Sequence, residues 1–105
     1  MNTLWVPNMF TLKNALRIAA EATTSDLDID ETEQLSAVIQ RLPMQISADI
    51  TLTPAEQFTS YLCIRRFKET KTWFWLRPDF KRALLLFEAQ TLATQGQRLS
   101  IDARR

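Results

Sequence analysis

Residues 44–53, MQISADITLT, alternate apolar and polar side chains without a break. Met44, Ile46, Ala48, Ile50 and Leu52 fall on one side, and Gln45, Ser47, Asp49, Thr51 and Thr53 on the other. Successive side chains leave a strand on opposite faces, so a period of two predicts a half-buried strand. The long apolar segments elsewhere in the chain have helical spacing. This stretch therefore separates a small α+β domain from the alternative, an all-α bundle in which 44–53 is merely extended. The expected fold is predominantly helical α+β: four helices with a small sheet built around strand 44–53.

The segment is bounded on both sides by helix punctuation. Upstream, Leu35, Val38, Ile39 and Leu42 recur at helical spacing, Arg41 lies in the last turn and Pro43 ends the helix. Asp30 is the expected N-cap, with Glu33 at capping-box spacing. An earlier helix is expected over 9–22, with Leu12, Ala15, Leu16, Ala19 and Ala22 inward and Lys13, Arg17 and Glu21 outward. Downstream, Thr53-Pro54-Ala55-Glu56 combines an N-cap, a proline at the first helical position and a capping-box glutamate. The helix it opens extends to about residue 68 and carries Phe58, Tyr61, Leu62, Cys63, Ile64 and Phe67 around most of its circumference.

The remaining third is less regular. Trp73-Phe74-Trp75 reads as a short strand or a loop. A fourth helix is expected from Pro78 to just before Gly96, which would serve as its C′ residue. This helix has no polar face: Phe80, Ala83, Leu84 and Phe87 cover one side, and Leu85, Leu86, Ala89, Leu92 and Ala93 the other. Such a helix is either central or offers its second side to a partner. The tail at 98–102 alternates weakly through Leu99 and Ile101, and is the expected partner of strand 44–53, whose backbone groups need one. A single glycine suits helical connections better than tight hairpins.

At 105 residues, 46% apolar and 24% charged, with no linker, repeat or low-complexity tract, the chain reads as one globular domain over 1–105. Surface scaling gives about 17,700 Å² for the unfolded chain and about 6,100 Å² for the folded one, so about two-thirds can be buried. The absence of histidine removes imidazole acid-base chemistry, serine and cysteine triads, and histidine metal ligation. A lone Cys63 supports neither an internal disulfide nor a thiolate metal cluster, and reads as a reduced, packed thiol. One glycine excludes the P-loop and the dinucleotide fingerprint. The longest apolar run, 83–87, is far short of a membrane span, and the N-terminus MNTLWVPNMF lacks the basic and apolar regions of a secretory signal. A cytoplasmic location is the expectation, with no membrane partner and no cofactor.

Charge is nearly balanced over the chain but divided within it. Residues 1–53 hold three basic and seven acidic side chains, whereas 54–105 hold ten basic and five acidic. The basic density peaks over 65–82, in Arg65, Arg66, Lys68, Lys71, Arg77, Lys81 and Arg82, with Trp73, Phe74 and Trp75 among them. In the plainest reading, one side of the aromatic run is core and the cations form a solvated helix face whose stems cover it. Tryptophan and arginine are also the residues enriched at protein-protein hot spots. Aromatic faces among cations equally suit single-stranded nucleic acid, although nucleic-acid-binding domains are usually more basic than this chain.

Two further patterns are weaker. Asp26, Asp28 and Asp30 imitate the first ligands of an EF-hand, but Glu31 stands where the turn glycine belongs and Ala37 where the bidentate glutamate belongs. Helix capping explains most of these acids. For catalysis, no carboxylate pair is singled out by spacing, and Arg66 is the nearest cation to Cys63 along its helix. No catalytic or metal site is expected. The sequence points to a non-catalytic protein-binding module, an adaptor, regulator or inhibitor. Its contact residues would be Arg65, Arg66, Lys68, Lys71, Trp73, Trp75, Arg77, Lys81 and Arg82. The partner would be another protein or a second copy, the latter through Leu85, Leu86, Ala89 and Leu92. Single-stranded nucleic-acid binding through 65–82 is the alternative.

Overall fold

In the computed structural model, which describes the backbone of residues 2–103 and the side chains of residues 3–92, the alternating segment becomes a strand over half its length. The N-terminal strand β1 (Asn2–Val6) pairs antiparallel with β2 (Ala48–Leu52), from Asn2 opposite Leu52 to Val6 opposite Ala48. Leu4, Val6, Ile50 and Leu52 are buried, while Thr3, Trp5, Asp49 and Thr51 are exposed. The predicted alternation therefore holds from Ala48 onward. Upstream of it, Met44 and Ile46 are 72% and 77% exposed, contrary to expectation. The register explains the difference: β1 ends before Pro7, which has no N–H to donate, so 44–47 has no strand to pair with. Instead the Ile46 carbonyl accepts a 2.9 Å hydrogen bond from the Met9 amide and satisfies the first turn of the next helix.

β1 also takes the place expected for 98–102, which is helical. A helix satisfies its backbone groups internally, and two apolar residues are too few to specify a strand register. Helix α1 (Met9–Ala22) has the predicted bounds and buries Met9, Leu12, Ala15, Leu16 and Ala19. A 3₁₀ turn over Thr24–Asp26 leads to α2 (Ile29–Arg41), which starts earlier than expected. Its N-cap is Asp28, not Asp30. The Asp28 carboxylate accepts from the Glu31 amide at 2.8 Å, and the Glu31 carboxylate accepts from the Asp28 amide at 3.1 Å. Asp28–Glu31 and Asp30–Glu33 share the same spacing. The earlier pair is used because Leu27, just before it, is buried and brings the chain out of the core at that point.

The second capping box forms as predicted and opens α3 (Pro54–Phe67) at Thr53 and Glu56. The same glutamate ties three elements together. Both Arg41 guanidinium nitrogens bond its carboxylate, one at 3.0 Å, while Arg41 also donates to the Thr51 carbonyl on β2 at 3.0 Å. An edge carbonyl is thereby occupied and less open to a foreign strand. Burial raises the Glu56 carboxyl pKa, but the Thr53 amide and Arg41 outweigh it and hold the group below its usual value.

Trp73, Phe74 and Trp75 lie neither in a strand nor in a loop but in a one-turn helix, α4 (Lys71–Trp75). Thr70 caps it, its hydroxyl accepting from the Trp73 amide at 3.3 Å and donating to the Phe67 carbonyl at 2.7 Å. The last helix, α5 (Pro78–Ala103), continues through Gly96, which is not a C′ residue and has no positive φ. At 26 residues α5 is about 39 Å long, close to the molecule's longest extent of 43 Å. It packs on α1 and α3, which themselves pack on α2, and β1 rests on α5. The small sheet on a helical core is the predicted α+β class.

The centre of the core holds Met9, Leu12, Leu16, Leu35, Val38, Ile64, Phe67, Leu84 and Phe87. Cys63 belongs to it. Its thiol is fully buried, 3.5 Å from the Thr23 hydroxyl, and burial pushes its pKa up to about 11 against the weaker effect of that hydroxyl. A thiol protonated at neutral pH is a packing group and a poor nucleophile.

Candidate interaction surface

The aromatic-basic segment divides into an inner and an outer part. Phe67 ends α3 inside the core, and Trp73 meets it edge-to-face, centroids 5.9 Å apart at 80°. Trp73 is half-buried, and the Lys81 ammonium lies 5.5 Å from its ring. Lys81 also donates to the Phe74 carbonyl at 3.4 Å, so α5 clamps α4 from above. This tryptophan is the peg that holds α4 to the body. On a single helical turn, the residues beside the peg must point away from it. Phe74 and Trp75 are accordingly 71% and 81% exposed, their rings edge-to-face at 5.2 Å. Lys71 stands four residues before Trp75, the spacing that puts two side chains on one side of a helix.

The cations predicted to work together are differently employed. Lys68 pairs with Glu88 at 2.8 Å, and Arg77 pairs with Asp79 at 3.1 Å while lying over the Phe80 ring. Arg65 is hydrogen-bonded to the Tyr61 hydroxyl at 2.9 Å. Arg66, Lys71 and Arg82 are exposed and form no ion pair among the described residues. The segment thus presents two aromatic rings with one unpaired cation on the same short helix.

The predicted self-association residues are all at the surface. α5 buries Leu84, Phe87 and Thr91, and exposes Leu85, Leu86, Ala89 and Leu92. Beside this face lies a groove of about 410 Å³ between α5 and the corner where β1 enters α1. Its lining combines the buried Val6, Leu12 and Phe87 with the exposed Trp5, Arg82 and Leu86. Sequence reading missed this groove because it left 1–8 unassigned. The signal is Thr3-Leu4-Trp5-Val6, in which three of four residues favour strands, cut by Pro7.

No arrangement among the described residues suggests a metal centre. No three metal-ligating side chains cluster there, and the Asp28 carboxylate is engaged in its capping box. No helix of the described residues is long and apolar enough to cross a membrane. No protein-family model matches the chain, and neither the curated proteins nor the solved structures compared with it contain a significant match.

Proposed function

We propose that this protein is a small non-catalytic binding module whose contact with another protein is centred on α4. The observation that carries this reading is the exposure of Trp75, 81%, beside an exposed Phe74 on a helix that is itself pegged to the core by Trp73. Large exposed rings on a pre-formed support bind at low entropic cost, because little has to be ordered when the partner arrives. The partner surface that fits is an apolar pocket bordered by carboxylates, with Trp75 and Phe74 as anchors and Lys71 at the edge. Arg66 and Arg82 are further unpaired cations for steering an acidic partner.

A photo-crosslinking residue at position 74 should capture one defined polypeptide from cell extract, and Trp75→Ala should abolish the capture while leaving the helical circular dichroism unchanged. Capture that is indifferent to Trp75→Ala would overturn the reading. The second reading, single-stranded nucleic acid, is favoured by the same unpaired cations beside exposed rings. It predicts saturable quenching of tryptophan fluorescence by a mixed-sequence oligonucleotide, weakening as salt rises. Quenching of that kind, lost in Trp75→Ala, would replace the protein partner with nucleic acid.

A further inference from the structure

The exposed side of α5 carries a spacing finer than mere apolarity. Leu85, Ala89 and Leu92 are described and exposed, and the sequence continues the same alternation through Gly96, Leu99 and Ala103 along a backbone that stays helical to Ala103. Leucine therefore recurs every seven residues at 85, 92 and 99, and a small residue every seven at 89, 96 and 103. Alternating steps of four and three make this a heptad seam, the pattern by which one helix packs lengthwise on another. The described fold leaves Leu85, Ala89 and Leu92 exposed, Leu85 and Leu92 over nearly half of their surface, while Leu84, Phe87 and Thr91 already serve the protein's own core.

The order of large and small residues selects the occupant. In a parallel pairing of two such helices, leucine would meet leucine and small would meet small, leaving layers alternately crowded and empty. Reversing one helix about a two-fold axis at position 94 sets 85 level with 103, 89 with 99 and 92 with 96. Each leucine then falls opposite a small residue. This is the reciprocal matching that an isologous contact requires, since residue i meets j while j meets i. One small residue in every layer lets the backbones approach closely, and Gly96 in such a layer gives a reason for a residue that otherwise costs helix stability. The antiparallel arrangement also sets opposite helix dipole ends together. The seam from 85 to 103 is roughly 27 Å long.

We propose that α5 forms an antiparallel close-packed pair with α5 of a second copy of this chain, each Leu85-Ala89-Leu92 seam meeting the Gly96-Leu99-Ala103 end of the other. The contact is independent of the surface on α4. Light scattering of the full chain should give about twice the 12.2 kDa chain mass. Leu85→Glu with Leu92→Glu should give a monomer with unchanged circular dichroism. Ala89→Leu should raise the dimer dissociation constant at least tenfold, because the added side chain meets Leu99, even though the helix and its apolarity are kept. A variant that stays as dimeric as the wild type would overturn the close-packed seam. Direction is read by single cysteines under mild oxidant, with the buried Cys63 silent. Gln95→Cys, next to the axis, should form a disulfide between copies. Ala89→Cys, about 15 Å along the axis from its mate, should not. A monomeric wild type, or cross-linking at 89 in preference to 95, would overturn the proposal.

Discussion

The unit from α2 through β2 to α3 and the unit from α4 into α5 use polar groups in opposite ways. In the first, two capping boxes and the Arg41-Glu56-Thr51 bridge occupy the charged and hydrogen-bonding groups within the fold. In the second, α4 is held by the Trp73 ring against Phe67 and by Lys81 on the Phe74 carbonyl, while the Phe74 and Trp75 rings, Lys71 and the Leu85-Ala89-Leu92 seam face outward. The lesson is one of division of labour. A segment whose helix caps and main ion pair are matched within the fold is fixed from several sides, whereas a segment held through few contacts can leave neighbouring rings exposed.

The sharpest way to break this contrast is at the junction of the two units. Phe67 is fully buried and receives Trp73, so Phe67→Ala should cost about 3–5 kcal/mol in urea unfolding and release α4 as well. A loss confined to α4, seen as altered tryptophan fluorescence without lower global stability, would mean the two units are not continuous. Next in size, Thr53→Ala removes the hydroxyl that caps α3 and should cost about 1 kcal/mol by the same measurement.

Acid should act on the first unit through Glu56. The Glu56 carboxyl is held below its ordinary value of 4.5 in the folded protein, so its contribution is present above that value and is lost as pH falls through the folded one. Arg41→Gln should flatten that part of the pH-stability curve, because it removes the guanidinium that lowers Glu56. The smallest effect on stability is expected at Trp75. Trp75→Ala should change the unfolding free energy by less than about 0.5 kcal/mol, since the ring is largely in water. A much larger loss would show that the outward unit also supports the core.

Helices α1, α2 and α3 were legible because their signals are local. Leu12, Leu16 and Ala19 recur at the helical period, and Thr53-Pro54-Ala55-Glu56 can cap only a helix that starts there. The choice between Asp28 and Asp30 was not, because both caps have a glutamate three residues on and only the burial of Leu27 separates them. Residues 71–75 were misread for a related reason. Three consecutive aromatics carry no period, so whether they form strand, loop or helix depends on Thr70 as a cap and Phe67 as a receiving surface.

The α+β class, the bounds of α1 and α3, the packed character of Cys63 and the two-sided apolarity of α5 are all readable from the order of residues. Each of these comes from a period or a spacing within about twenty residues. That the N-terminal residues, not the tail, pair with β2 emerges in the assembled fold alone. The same holds for the start of β2 at Ala48, for the partial burial of Trp73 beside an exposed Trp75, and for which side of α5 stays exposed. These depend on which distant segments meet. A strand's partner and a ring's burial are properties of two surfaces at once, and local pattern describes only one of them.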